Sequence, residues 1–189
     1  DLINRCTFSY TRQNEMLGLG HAILVGETLI GDAPFAVLLA DDFCLTEGDS
    51  VLAQMTALYE QHRCCIVAIE EVPLDQVSRY GVIAGVEEKA GLFRVDEMVE
   101  KPEPAAAPSN LAIIGRYILT PAIFEVLRNT APGRNGEVQL TDALQTLASR
   151  GEVLACRFDG KRFDCGSIEG YIDATNVLYR RTTQSQSEQ

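Results

Sequence analysis

The sequence predicts an α/β domain, a mixed β-sheet flanked by helices, and three observations carry that prediction. Strand-like and helix-like stretches alternate over most of the 189 residues. Two continuous apolar runs, Phe35–Ala40 (FAVLLA) and Cys64–Ile69 (CCIVAI), read as strands covered on both faces. Beyond residue 80 the rhythm changes to two strand-like stretches joined by a turn, which implies antiparallel pairing in the same sheet.

The elements follow in order. Cys6–Thr11 reads as a short strand, and His21–Leu29 has apolar residues at helical spacing after Gly18 and Gly20. Phe35–Ala40 is the first buried strand. Ser50 offers an N-cap for a helix to Gln61, with Leu52, Met55, Leu58 and Tyr59 on one face. Cys64–Ile69 is the second buried strand. Tyr80–Val86 and Leu92–Val99 form the antiparallel pair around a turn at Glu88–Gly91, and Leu111–Ile118 is another strand. Pro121–Asn129 is a helix with proline in its first turn, and Pro132–Gly136 a loop. Thr141–Ser149 is a helix capped by Thr141 and ended by Gly151; Val153–Phe158 is a strand; Ile168–Arg180 is a closing helix. Pro102–Pro108 is a surface loop, so residues 1–181 form one domain, and the polar stretch 182–189 (TTQSQSEQ) is predicted to be disordered.

Composition narrows the function. The 27 acidic residues outnumber the 16 basic ones, giving a net charge of −11 that repels phosphate backbones and argues against nucleic acid as a partner. No apolar run reaches the roughly 18 residues of a membrane helix. The six cysteines lie mostly in apolar runs without zinc-site spacing, and read as reduced, buried residues of a cytoplasmic protein. A chain that opens at Asp1, with neither methionine nor leader, reads as part of something longer.

Several polar positions could carry chemistry. Asp41 and Asp42 follow the strand FAVLLA, where acids face the ligand crevice of an open sheet and can hold Mg²⁺, although a turn or helix cap uses aspartate equally well. Asp164 precedes Gly166 after the basic stretch Gly160-Lys161-Arg162, and either shares that cation or caps the last helix. Glu100 and Lys101 end a strand before Pro102. A glutamate accepts hydrogen bonds from sugar hydroxyls and a lysine offers phosphate a point charge; a solvated ion pair is the ordinary alternative. Asn110 and Gly81 open strands where a ligand, a turn or a bulge could lie. Gly18-Leu19-Gly20 leads into a helix whose amides could face an anion. His21 and His62 belong to no nucleophile or metal constellation and read as structural.

Taken in order, Gln13 with Gly18-Leu19-Gly20-His21-Ala22, Leu39-Ala40-Asp41-Asp42, Tyr80-Gly81-Val82, Val99-Glu100-Lys101-Pro102, Ser109-Asn110-Leu111-Ala112-Ile113, Gly115-Arg116-Tyr117, Glu137–Asp142 and Phe163-Asp164-Cys165-Gly166 resemble the bacterial UTP–glucose-1-phosphate uridylyltransferases, or UDP-glucose pyrophosphorylases. The resemblance implies a Rossmann-like nucleotidyltransferase fold with a mixed sheet. It also implies formation of UDP-glucose and pyrophosphate from UTP and glucose 1-phosphate with Mg²⁺, by a homodimer or homotetramer. On that likeness Asp41 and Asp164 would hold the metal, Glu100 the glucose hydroxyls and Lys101 the sugar phosphate. Asp42, Gly81 and Asn110 would line the substrate pocket, and Gln13 with Gly18 would meet the uracil. The nucleophile is a phosphate oxygen already ionised at neutral pH, so alignment and charge neutralisation would suffice without a general base.

The family's glycine-rich G-x-G-T-R segment, which cradles the triphosphate, is not among these 189 residues. The chain therefore corresponds to the sugar-phosphate and C-terminal part, and on its own is expected to bind UTP poorly and lack turnover. The alternatives are a relative specific for another nucleotide or sugar phosphate, and a non-catalytic sugar-phosphate-binding module.

Overall fold

The computed structural model describes residues 3–187. After a short helical turn at Ile3–Arg5 the chain forms α1 (Leu19–Val25), α2 (Glu27–Ile30), β1 (Phe35–Leu38), β2 (Asp42–Leu45), α3 (Val51–His62) and β3 (Cys65–Glu71). A 3-10 segment, Leu74–Arg79, leads to the hairpin β4 (Gly81–Lys89) and β5 (Leu92–Glu100), then β6 (Leu111–Leu119). The chain closes with α4 (Ala122–Asn129), α5 (Leu140–Ala148), β7 (Val153–Arg157), β8 (Lys161–Asp164) and α6 (Ile168–Ser187).

Six strands form one mixed sheet in the order β1-β6-β3-β7-β5-β4, with β4 also pairing to β6. Only β3 and β7 run parallel; the other neighbours are antiparallel. A separate two-stranded ribbon, β2 with β8, sets Asp42 opposite Asp164 and Cys44 opposite Arg162.

Strand β3 shows why an unbroken apolar run belongs at the centre. Successive side chains point to opposite faces of a strand. Cys65, Val67 and Ile69 enter the layer under α1, α4 and α5, whereas Ile66 and Ala68 enter the layer under α3, where Val51 and Met55 cover them. Ser50 caps α3 as predicted, its Oγ accepting the Ala53 N–H at 3.2 Å. None of the six cysteines is bridged, but only Cys65 and Cys156 are buried and Cys6 is exposed, contrary to the expectation; burial pushes the thiols of Cys64 and Cys156 up to about 11 and about 12.

Four other expectations are corrected. FAVLLA is an edge strand with one open face, since Ala36 and Leu38 are exposed on β1. Cys6–Thr11 is irregular and exposed and pairs with no strand among the described residues. The helix predicted at His21–Leu29 is two short helices broken at Gly26. Residues 182–187, predicted to be disordered, continue α6, the hydroxyls of Thr182 and Thr183 bonding to carbonyls one turn back; 188–189 lie outside the described residues. A helix already nucleated propagates at little cost through polar residues.

The β4–β5 register slips at Gly85, where an added Cβ would sit 2.1 Å from the Arg94 carbonyl oxygen. Gly85→Ala should therefore destabilise the fold by about 1–3 kcal/mol in urea unfolding. A loss below about 0.5 kcal/mol, the level of an ordinary surface substitution, would show that the bulge relaxes freely.

Candidate functional site

One cleft of about 340 Å³ gathers the ends of elements from across the chain. Its walls come from the Leu39–Asp42 connection, the start of β4 at Tyr80 and Gly81, the end of β5 at Glu100 and Lys101, the first turn of α5, and the end of β8 at Asp164.

The floor is organised by Asp42, which is 6% exposed. Its Oδ2 accepts the Gly115 N–H at 2.5 Å and its Oδ1 accepts Arg162 Nε. Arg162, 7% exposed at its side chain, also donates to Glu70 at 2.7 Å and lies over the Tyr80 ring at 5.1 Å. Burial works against the Arg162 charge, but its bonds to Tyr80, Asp42 and Glu70 outweigh it and hold the guanidinium firmly protonated. Arg116 ties down the same connection, donating to the carbonyls of Leu39, Gly115 and Asp42. Glycine is required at 115, since a Cβ there would meet Asp42 Oδ2 at 2.5 Å and Leu39 Cβ at 2.6 Å.

Two carboxylates face the cleft from this floor. The Cys165 N–H donates to the Asp41 carbonyl at 2.7 Å, so the peptides carrying Asp41 and Asp164 are stitched together. A Cβ added at Gly166 would lie 3.1 Å from Asp164 Oδ1 and 3.2 Å from Asp41 Oδ2, which places both carboxylates around one glycine. Oxygen donors so grouped fit a hard divalent cation that takes its other ligands from water or phosphate. Among the described residues no set of three His, Cys, Asp or Glu side chains is arranged to hold a metal.

The cleft also carries Glu100 and Lys101. Glu100 Oε2 accepts the Thr141 hydroxyl at 2.6 Å, and its Oε1 lies 3.4 Å from Lys101 Nζ. Gly81 leaves Glu100 room, since a Cβ there would stand 3.2 Å from Oε2 and 2.9 Å from Thr141 Oγ1. Lys101 has φ +46° immediately before Pro102, a conformation that costs a non-glycine residue energy and that proline disfavours in its predecessor. The Lys101 N–H, donating to Tyr80 O at 2.9 Å, secures it.

Of the residues singled out in the sequence, Asp41, Asp42, Gly81, Glu100, Lys101 and Asp164 line this cleft. Asp42, read as a substrate ligand, has each carboxylate oxygen engaged within the protein. Asn110 is not part of the lining; its amide donates to Val72 O at 3.3 Å and its carbonyl accepts the Val72 N–H. Gln13 and Gly18 sit together beside the cleft: Gln13 donates to Gly18 O at 3.1 Å and to His21 Nδ1 at 2.9 Å, and Gly18 abuts the cleft residue Glu137. Thr141, read as a cap, lies inside α5 and serves Glu100. Sequence reasoning passed over Arg79, Arg116 and Arg162. For Arg162 a signal existed: two residues before Asp164 on a strand, it shares that aspartate's face.

A family model described as nucleotidyl transferase matches residues 3–181. A UTP–glucose-1-phosphate uridylyltransferase of Pseudomonas aeruginosa is 65% identical over 179 residues, covering 94% of this chain and 64% of the relative. A crystal structure of UDP-glucose pyrophosphorylase complexed with UDP-glucose superposes with a TM-score of 0.93 at 58% identity, over 95% of this chain and 69% of that one. A UTP-bound UGPase from Acinetobacter baumannii superposes at 0.75 with 37% identity, over 89% and 58%. The chain thus spans about two thirds of the length of such relatives.

Two outcomes follow from the site's electrostatics. Arg162→Met would strand Asp42 and Glu70 and should cost about 3–5 kcal/mol in chemical denaturation, with Asp42→Asn added to it restoring part of the loss. Burial, then the charge of Glu100, raises the proton affinity of Asp142 in the folded state. Its contribution is therefore present at low pH and lost as pH rises through the folded value. The melting temperature of Asp142→Asn should accordingly gain on that of the unaltered chain between about pH 3 and pH 7. A constant gap would contradict that coupling.

Proposed function

The chain belongs to the nucleotidyl transferase family, and from that premise we propose that it serves the formation of UDP-glucose and pyrophosphate from UTP and glucose 1-phosphate. The observation that carries this reading is the gathering of Glu100, Lys101, Asp41 and Asp164 in one cleft. Neither histidine nor serine lines that cleft, which suits a reaction whose nucleophile needs no deprotonation. The names of the relatives above support the choice of UTP and glucose.

In this reading Glu100, steadied by Thr141, accepts hydrogen bonds from glucose hydroxyls, and Gly81 lets the ring approach the backbone of β4. Lys101 holds the sugar phosphate for in-line attack on the α-phosphorus of UTP. The chain breaks the α–β phosphoanhydride as the new P–O bond forms, and pyrophosphate leaves. Asp41 and Asp164 would hold Mg²⁺, which when bound neutralises charge on the phosphates. Gln13 and Gly18 would meet the uracil from beside Glu137.

The same reading makes the protein cytoplasmic, in keeping with its six unbridged cysteines. It also makes it a homo-oligomer. An exposed stripe on α6, with Ile168, Tyr171, Ile172 and Tyr179 at helical spacing, supports self-association.

Replacing the matching segment of the Pseudomonas aeruginosa relative with residues 3–181 tests the function directly. The chimera should release pyrophosphate only when UTP, glucose 1-phosphate and Mg²⁺ are all supplied, and should prefer them to other nucleotides and sugar phosphates. Lys101→Ala in that chimera should lower kcat/KM for glucose 1-phosphate by about 10²–10³, the usual effect of removing one group that stabilises transition-state charge. A folded chimera without turnover would refute the function, and near-normal efficiency in the alanine variant would refute the role of Lys101.

A further inference from the structure

We propose that Arg79 is a stand-in cation for Asp164, which yields the carboxylate to the metal and passes to a phosphate of the substrate. The proposal rests on the uridylyltransferase reading above and adds a residue to it. Arg79 Nη2 lies 2.5 Å from Asp164 Oδ2, and the same oxygen receives the Tyr80 hydroxyl at 3.4 Å. Asp164 Oδ1 takes the Gly166 N–H at 3.2 Å on the side shared with Asp41. The carboxylate assigned to the metal is thus already paired, and the partner is an arginine on the cleft wall.

The contrast with Arg162 shows which guanidinium is built to move. Both lie over the Tyr80 ring, Arg162 at 5.1 Å and Arg79 at 5.5 Å. Arg162 is 7% exposed and bonded to Asp42 and Glu70, so releasing it would strand two acids. Arg79 is 50% exposed and pairs with Asp164 through one nitrogen. A half-exposed pair of this kind is worth little, and a divalent ion shared by two carboxylates outcompetes a single monovalent group.

The backbone fixes the pivot. Tyr80 N–H donates to Val77 O at 3.1 Å, and Tyr80 O accepts the Lys101 N–H at 2.9 Å. Arg79 precedes and Lys101 is bonded to this one anchored residue, and both line the same cleft. A guanidinium released there can grip a phosphate with two parallel hydrogen bonds beside the point charge of Lys101. The site keeps its charge balanced at each stage: arginine on carboxylate before loading, metal on carboxylate and arginine on phosphate afterwards.

Two titrations of the chain, by electron paramagnetic resonance of Mn²⁺ and by calorimetry of glucose 1-phosphate at saturating Mn²⁺, test this in the unaltered protein, Arg79→Gln and Arg79→Lys. Arg79→Gln should bind Mn²⁺ roughly three- to fivefold more tightly, the scale of a half-exposed ion pair. It should bind glucose 1-phosphate about tenfold more weakly, the scale of a charged hydrogen bond. Arg79→Lys should fall between for both ligands. The opposite signs are the signature, since an arginine that merely supported the fold would weaken both. Unchanged or weakened Mn²⁺ binding in Arg79→Gln, with Mn²⁺ still bound by the unaltered chain, would overturn the role of Arg79 alone. Absence of Mn²⁺ binding from all three proteins would overturn the metal reading and this proposal with it.

Discussion

The cleft depends on one buried carboxylate. Asp42 cannot be hydrated where it sits, so its charge must be met from within, and Gly115 N–H and Arg162 meet it. These two partners come from β6 and β8, and Arg116 locks the backbone of the Leu39–Asp42 connection onto β6 as well. The unpaired cost of any member keeps all of them in place. A buried pair of this kind adds little stability over apolar packing, but it removes alternative arrangements. Its value here is positional: Asp41, next to Asp42, and Asp164, two residues beyond Arg162, line the cleft.

A second layer of the same logic reaches Glu100 and Lys101. Tyr80 has both guanidinium groups over its ring, and its carbonyl accepts the hydrogen bond that holds Lys101 in its strained conformation. Tyr117, buried in the lining of the cleft, has its phenol pushed well above the ordinary range by burial, then by Glu100 and Asp42. Acids on the floor and a lysine on the wall thus share a low-dielectric base. Charges placed over such a base act on one another strongly enough to choose partners.

Most of the architecture was legible because periodicity and burial coincide in it. CCIVAI lies at the sheet centre, the β4–β5 hairpin turns where expected, and Ser50 caps its helix. FAVLLA shows the limit of that inference, for an apolar run reports the capacity to be covered on two faces without saying what covers them. The cleft was legible where polar residues follow strands, at Asp41, Glu100, Lys101 and Asp164. It was misread where a polar residue had a local use to choose from. Asn110 secures Val72, and Thr141 reaches across to Glu100 instead of capping its own helix. Arg162 was passed over within the basic stretch Gly160-Lys161-Arg162; only the pairing of β8 with β2 carries it inside.

That pairing also sets the order in which the site can come into being. Arg162 meets an aspartate 120 positions earlier in the chain, and Asp164 meets Asp42 in register across the same ribbon. Contacts of such separation form late, after the loop they close has already been ordered by its own packing. During synthesis the six strands of the main sheet have all emerged while both β8 residues are still to come. Until they arrive, Asp42 is a buried charge without its arginine and Asp41 has no second carboxylate beside it. The central strand β7 and the ribbon strand β8 therefore emerge almost together, and the cleft floor is completed only with the end of β8.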